Sequence, residues 1–346
     1  MPIRPFSRTA RACLSVAILA LATCPITAPA GPIEPPLELL YQPENQLVAG
    51  PLLDIDPSGR LVFQRKDVLG GKGRPPEQID VRAPKTTLAA VKRGERYIFG
   101  YATSRSDPRN PTRRVLDPEG PVLLASIGLE PALFRDTPET RALLKAGRSE
   151  HGRESRRFFE LLMQALAGND PALQTLAAGE VAQDREVRER VRENGAVVER
   201  VARAAATPLN VRSTLLLAAA TRPDDFGGWW QDVALGIVAT TPTGGYTPDA
   251  SDPSGLVLLA LEVLDKHAVR VPSETLKRWV SGETPLLAER ASLMLRRESP
   301  AMERSAIQQA LADPKLPDRT RKFLSDHLRR LDRLDAGSKA RKDGTG

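Results

Sequence analysis

Five dipeptides in the second half of the chain each place a helix-capping residue before a proline. They are Thr137-Pro138, Asp170-Pro171, Thr207-Pro208, Thr284-Pro285 and Ser299-Pro300. The side-chain oxygen of Thr, Asp or Ser can accept a free backbone N–H at a helix start, and proline at the first helical position loses no hydrogen bond. Apolar residues recur at helical spacing between these starts. The sequence therefore predicts a run of about ten helices over residues 137–334.

The predicted helices recur in pairs. Stripes such as Leu287-Ala291-Leu295 and Phe323-Leu324-Leu328-Leu331 give each helix one apolar face, and the pairs repeat at roughly 30 to 40 residues. From about residue 150 to 334 this pattern resembles the helical hairpins of HEAT and armadillo repeat proteins. The resemblance implies an α-solenoid-like array, and an irregular helical bundle is the alternative.

Residues 47–128 have the pattern of a small β domain. Short runs of β-forming residues lie at 47–53, 60–64, 79–81, 96–101, 114–116 and 121–125. Asp54–Gly59 and Asp117–Gly120 carry turn residues between neighbouring runs, which predicts two hairpins. The sequence therefore predicts a small β-barrel or sandwich, and an α+β protein of two domains.

The order of motifs in this part points to a type of β domain. A strand with a Val-Leu-x-Gly exit at Arg60–Gly70 is followed by Ile79–Arg82 and by a Gly-x-x-Tyr-x-Phe strand at Gly94–Phe99. This order resembles the netrin-like and OB-type β-barrels of secreted proteins. Netrin-like domains present their protease-inhibitory residues through an N-terminal cysteine, and no cysteine follows Cys24, so that role is not carried over.

Residues 1–30 have the three regions of a secretory signal. Three arginines precede an apolar stretch at 12–22, and Ala28-Pro29-Ala30 matches a cleavage site. Cleavage there gives a periplasmic or secreted protein that begins at Gly31. Leu21-Ala22-Thr23-Cys24 is similar to a lipoprotein box, and a lipid anchor at Cys24 is the alternative. No later apolar run is long enough to span a membrane.

Both cysteines, Cys13 and Cys24, lie in the leader, so the cleaved chain has no disulfide and no thiolate metal site. Residues 31–46 read as a proline-rich, extended lead-in, and residues 335–346 as a disordered tail.

Residues 60–114 carry fourteen bases and five acids, a net charge of +9, whereas residues 31–59 carry five acids and no base. Such a block predicts binding to an anionic partner. In an exported protein the partner is an anionic glycan, a lipid surface or an envelope protein, and not a nucleic acid. Lys92, Arg93 and Arg96 are the candidate anion-binding residues.

The longest uninterrupted loop predicted in the helical part covers residues 240–254. Loops of this length are often functional. It offers Tyr246, Asp249 and Asp252, and the preceding helix begins with Trp229 and Trp230. Aromatic and acidic side chains together would suit a sugar or peptide groove. The alternative is that the tryptophans lie in the core and the loop is a spacer.

No catalytic, cofactor or metal motif stands out. The three histidines of residues 31–346, His151, His267 and His327, are widely separated, and no Gly-x-Ser-x-Gly elbow is present. The sequence therefore favours a binding or scaffold protein without a cofactor. The alternatives are a hydrolase that uses the carboxylates of the 240–254 loop, and an assembly factor for an envelope complex.

Overall fold

The structure is a computed structural model that describes residues 34–107, 110–246 and 252–343. The predicted leader with Cys24 lies outside these residues, and so does Asp249 of the long loop. The described residues belong to one compact unit, in which a β part comes first and a helical part follows. The chain is therefore an α+β protein.

The described β part contains nine strands and two short helices. The strands are β1 (Asn45–Ile55), β2 (Arg60–Gln64), β3 (Asp67–Gly70), β4 (Gln78–Arg82), β5 (Arg96–Ala102), β6 (Ser104–Asp107), β7 (Asn110–Leu116), β8 (Val122–Leu123) and β9 (Leu133–Arg135). The helices are α1 (Pro36–Leu40) and α2 (Lys85–Ala90).

Seven strands form one mixed sheet in the order β3-β1-β2-β4-β8-β5-β9. β1 pairs in addition with β5, so the pairings lead from β1 through β2, β4, β8 and β5 back to β1. β4 and β8 are parallel, and the other pairs are antiparallel. Alternate side chains of β2 and β4 are buried, and Phe63 stacks on Phe99 of β5 at 4.1 Å between ring centroids. The strands thus pack around an apolar cluster of their own.

One predicted hairpin is confirmed and the other is wrong. β1 and β2 form the first, with Asp54 opposite Val62. At the second, Gly120 N–H donates to Asp117 O at 3.0 Å, so the turn is present. However, β7 pairs with β6, and β8 pairs with β4 and β5. Turn residues determine where the chain reverses, and they do not determine which strands then pair.

The described helical part contains fourteen helices, more than the ten predicted, because several are short. They are α3 (Pro138–Ala146), α4 (Glu150–Arg153), α5 (Arg156–Ala167), α6 (Pro171–Gln183), α7 (Arg185–Asn194), α8 (Ala196–Arg203), α9 (Leu209–Thr221), α10 (Pro223–Phe226), α11 (Trp229–Thr240), α12 (Ser254–Lys266), α13 (Ser273–Val280), α14 (Pro285–Glu298), α15 (Pro300–Ala312) and α16 (Asp318–Asp343). The last helix continues through most of the segment that the sequence predicts as a disordered tail.

Four of the five predicted helix starts are confirmed, since α3, α6, α14 and α15 begin at the proline of the dipeptide. At α6 the cap has the expected geometry: Asp170 Oδ1 accepts the N–H groups of Ala172 and Leu173 at 2.9 and 3.1 Å. The exception is α9, which begins at Leu209, one residue after Pro208.

The longer helices pack in two layers. In one layer α6, α9, α12, α14 and α16 each contact the next. In the other layer α5 contacts α8, α8 contacts α11, and α13 contacts α15. Each helix of the second layer also packs on the helix of the first layer that comes next in the chain. This gives the pairs α5–α6, α8–α9, α11–α12, α13–α14 and α15–α16. The helical part is therefore a series of consecutive helix pairs.

The short helix α1 lies between the two parts of the protein, so the lead-in is not extended throughout. Leu37 and Leu40 are fully buried. Leu40 lies against Gly100 of β5, and Leu37 lies against Gly147, the residue that follows α3. One hydrophobic cluster accordingly continues from α1 and the sheet into α16. The two parts share a core.

No helix in the described ranges is both long enough and apolar enough to cross a membrane.

Candidate functional site

Of the three bases predicted to bind an anion, two lie beside an acid at the end of β1. Lys92 Nζ lies 4.0 Å from Glu95 Oε1, and Arg93 forms an ion pair with Asp54. The third, Arg96, belongs to a larger cluster. The structure therefore places a carboxylate near each predicted anion-binding side chain.

Arg96 is part of a cluster of two arginines and two aspartates that joins β3 and β5 to α3. Arg141 donates to Asp136 at 2.5 Å and to Asp67 at 2.6 Å. Arg96 donates to Asp136 at 3.1 Å and lies 3.7 Å from Asp67. These residues line an open cavity of about 500 Å³. The cluster connects the sheet to the helices through these ion pairs. Because its two positive and two negative charges cancel, it has no net attraction for an anion.

Asp136 is the member of this cluster whose loss we expect to matter most, because its carboxylate is buried and accepts from both arginines. The hydrogen bonds from Arg141, and then those from Arg96, hold the pKa of Asp136 below its usual range. A lowered pKa stabilises the fold above the pKa of the unfolded chain, and this contribution is lost as the pH falls towards the folded-state value.

We expect Asp136→Asn to lower the free energy of unfolding by about 2 kcal/mol at pH 7. The difference from the parent protein should shrink as the pH falls below about 4. Urea unfolding at pH 7 and at pH 3.5 measures both effects. A difference of the same size at the two pH values would contradict this account of the cluster.

Two further bases of residues 60–114, the segment with a net charge of +9, also form ion pairs with acids. Arg60 Nε donates to Asp80 at 2.5 Å, and Arg82 Nη2 donates to Asp117 at 3.2 Å. Arg82 also pairs with Glu119, which lies outside the +9 segment, as does Asp117. The net charge of the segment therefore overstates the positive charge that the folded protein presents there.

Two exposed bases without a nearby acid among the described residues lie in the loop between β3 and β4. Lys72 and Arg74 are exposed, and no carboxylate of the described residues lies within 4.0 Å of either. The hairpin of β6 and β7 contributes further charge, because residues 104–116 contain four arginines and one aspartate. We call the loop 71–77 together with this hairpin the basic edge.

The strand pairing brings the two segments of the basic edge to the same end of the sheet. Leu47 of β1 is flanked by Gly70 on one side and by Gly100 on the other. Two strand spacings of about 4.8 Å separate those neighbours, so the loop and the base of the hairpin leave the sheet about 10 Å apart. Lys72 N–H donates to Pro43 O at 3.1 Å, which holds the loop against the start of β1.

The described backbone of the basic edge carries five bases, Lys72, Arg74, Arg105, Arg113 and Arg114, and Arg109 of the same segment lies outside the described residues. Three acids, Glu44, Glu77 and Asp107, are next to it or within it. The charge of these segments, counted from the sequence, is therefore positive. The positive charge of each segment is visible in the sequence. The proximity of the two segments is not, because it depends on strand pairing, which the local sequence does not encode.

The structure separates the predicted aromatic pair from the long loop. Trp229 and Trp230 begin α11, whereas the loop begins after Thr240, about 17 Å further along the helix axis. Trp230 is buried against the ring of His267, 4.8 Å between centroids, and Trp229 is half-buried. The two tryptophans therefore pack in the helical part, at the end of α11 opposite to the loop.

Two of the residues predicted to bind a ligand in the long loop, Tyr246 and Asp252, lie within the described part of the chain. Asp252 Oδ1 accepts the N–H of Ser254 at 2.8 Å, at the start of α12. Tyr246 is half-buried, and its hydroxyl has no hydrogen-bond partner. Burial raises the pKa of Tyr246, the carboxylates of Asp252 and Glu283 raise it further, and Arg278 lowers it. Among the described residues, no group of three or more His, Asp or Glu side chains is arranged to hold a metal ion.

Comparison with protein-family models, with curated proteins and with solved structures finds no significant match for this chain.

Proposed function

We propose that this chain is an exported binding protein whose basic edge holds an anionic polysaccharide, while the helical part offers a second, scaffold-like surface. The observation that carries the proposal is the pairing of β1 with both β3 and β5, because it brings Lys72, Arg74 and the arginine-rich hairpin to one end of the sheet. The predicted leader supports an extracytoplasmic location.

We propose further that the sheet is an OB-type barrel. The cycle of pairings β1-β2-β4-β8-β5, the parallel pair β4–β8 and the position of α2 between β4 and β5 support this assignment. On this assignment the hairpin of β6 and β7 is the connection between the fourth and fifth strands of the barrel. OB-type barrels bind oligonucleotides and oligosaccharides through that connection and the neighbouring face. A polysaccharide with acidic groups suits both the compartment and the charge.

For the helical part we propose a HEAT-like array. The two layers and the five consecutive helix pairs support it, since in such arrays each pair contacts only its neighbours. Arrays of this kind offer long surfaces for protein partners, so the same chain could hold a polysaccharide at one end and an envelope protein along its helices. We therefore propose that the chain is a scaffold that holds these two partners together.

The test reverses two charges at the basic edge. We expect Lys72→Glu combined with Arg74→Glu to weaken binding to a sulfated polysaccharide about tenfold, since a loss of about 1.4 kcal/mol changes an affinity by that factor. Binding of the parent protein should also weaken as salt rises, because salt screens exposed charges. Elution from a heparin resin and calorimetric titration of the full chain measure both.

Lys92→Glu combined with Arg93→Glu is the matched control, because it changes the net charge equally at the other end of β1. We expect this variant to bind within about twofold of the parent, since its side chains already lie beside acids. Equal weakening of both variants would mean that binding follows net charge alone. Loss in the control variant only would move the site to Lys92 and Arg93. Tighter binding to vesicles with anionic phospholipid than to the polysaccharide would change the assigned ligand.

A further inference from the structure

A carboxylic acid lies at the joint between α1 and α6 without contact to solvent. Glu180 of α6 is fully buried, and its Oε1 accepts the N–H of Leu37 at 2.6 Å. Its other oxygen, Oε2, is buried and has no hydrogen-bond partner in the part of the chain that the structure describes. A buried polar atom without a partner is costly, so this arrangement calls for an explanation.

The N–H that Glu180 accepts is a free donor at the start of α1. The residue before α1 is Pro35, which provides no side-chain cap, and Pro36 at the first position has no N–H. The first N–H of α1 is therefore that of Leu37, and an N–H there has no acceptor within the helix. Glu180, 143 residues further along the chain, supplies the missing acceptor. The hydrogen bond thus attaches α1 to the helical part.

The packing around this hydrogen bond is close. A Cβ atom on Gly179 would lie 2.6 Å from the Cα of Gly128 and 2.7 Å from Cγ of Pro36. The backbone of α6 therefore touches both α1 and the loop before β9, and a side chain at residue 179 would separate them. The neighbouring residue, Glu180, has no exposed surface.

Among the described residues, few charged groups face Glu180 and none forms an ion pair with it. Asp184, where α6 ends, and Glu38 on α1 are acids. Arg153 of α4 is the cation on this side, and it lies 3.8 Å from Glu38. Burial raises the pKa of Glu180 to about 8; the hydrogen bond from Leu37 and the charge of Arg153 lower it, whereas Asp184 and Glu38 raise it.

The loop on the sheet side adds one acid that is already engaged. Glu130 accepts a hydrogen bond from Asn210 of α9 at 2.7 Å, and Gln183 of α6 donates to Ile127 O at 3.4 Å. No cation from this loop offsets a charge on Glu180. Ionisation would therefore place an uncompensated negative charge in the joint.

We propose that Glu180 is a pH-sensitive latch for α1: the neutral carboxyl holds α1 between the sheet and the helices, and its ionisation releases the segment 34–41. When α1 opens, water reaches the carboxyl group and it can ionise as in an ordinary peptide. α1 is also attached to the start of β1, because Asn45 Nδ2 donates to Leu39 O at 2.7 Å. The latch does not depend on what the basic edge binds.

The direction of the effect follows from proton linkage. The closed state keeps its proton up to a pH of about 8, whereas the open state loses it above a pH of about 4.5. The equilibrium constant for opening should therefore rise by about tenfold per pH unit between these values, and by a few hundred-fold from pH 5 to pH 8. Below pH 4.5 both states are protonated and the constant should not change.

Hydrogen exchange of the full chain tests the latch. The opening constant of a peptide covering residues 34–41, corrected for the intrinsic exchange rate, is measured from pH 5 to pH 8, with a peptide from α14 as internal reference. We expect the rise in the parent protein and a flat profile in Glu180→Gln, which keeps an acceptor for Leu37 and cannot ionise. Glu262→Gln, on the half-buried part of α12, is the matched control and should follow the parent.

A flat profile in the parent protein would overturn the proposal, and so would a rise of equal slope in Glu180→Gln. Should that variant fail to fold, Glu38→Gln provides the second comparison, because Glu38 is the acid of α1 that faces Glu180. The parent slope should persist in Glu38→Gln. A slope that disappears there would assign the titration to Glu38 and overturn the latch.

Discussion

Replacement of Leu37 with alanine is expected to lower the free energy of unfolding by about 3–4 kcal/mol, the range for a fully buried leucine. Leu37 has no exposed surface and lies against Gly147 in the helical part, beside Phe158 of α5. The effect should be large for so short a helix, because α1 fills space that both the sheet and the helices line. Chemical denaturation followed by circular dichroism measures it.

The matched control for this prediction is Leu286→Ala on α14, where the side chain is 40% exposed. We expect this variant to lose less than about 1 kcal/mol, since truncation of a partly exposed leucine at the surface leaves no enclosed cavity. If Leu37→Ala were no more destabilising than Leu286→Ala, α1 would not be part of the shared core.

Replacement of Glu303 with glutamine is expected to cost about 3 kcal/mol, because it removes the charge of a buried carboxylate that accepts two hydrogen bonds from the partly exposed Arg296. Glu303 is 1% exposed and accepts two hydrogen bonds from Arg296, at 2.6 and 3.0 Å. His327 Nε2 lies 2.9 Å from the same carboxylate, and the ring of Phe323 stacks on the histidine. The network connects α14, α15 and α16.

Glu298→Gln provides the comparison for this network, because Glu298 lies 3.8 Å from the exposed Arg270. An exposed pair of this kind contributes at most about 1 kcal/mol, so the control should unfold at almost the same denaturant concentration as the parent. Equal loss in the two variants would show that the buried network contributes no more than a surface pair. Urea midpoints at pH 7 are the measurement.

Local signals predicted much of the fold. Asp170 and Ser299 act within three residues of themselves, so the helix starts could be read directly from neighbouring residues. The strands β2 and β4 were likewise visible, because alternate residues are buried. β1 and β5 were visible as runs of β-forming residues, most of which are buried. Partners distant in sequence were not predictable in this way. The pairing of β7 with β6, in place of β8, is the clearest example.

The same limit applies to the candidate site. The +9 charge of residues 60–114 is a property of composition, and the sequence gives no indication that Arg82 pairs with Asp117 and Glu119. The three bases chosen from sequence lie beside acids, whereas Lys72 and Arg74 do not. Which charges remain available is decided by contacts between segments, and these follow from the fold.

The position of α1 has a consequence for the order in which the protein folds. α1 is the first element of the described chain, yet its hydrogen-bond partners come much later. Leu37 N–H donates to Glu180, 143 residues later, and the Tyr41 hydroxyl donates to Leu144 O, 103 residues later. Contacts of such high sequence separation form slowly, because a long loop must close first. During synthesis α1 therefore cannot pack until α6 has been made. Until then Leu37 and Leu40, which are buried in the folded protein, remain exposed. The first helix of the described chain is thus placed only once α6 is available, and an unfinished chain is open at this joint to chaperones and proteases.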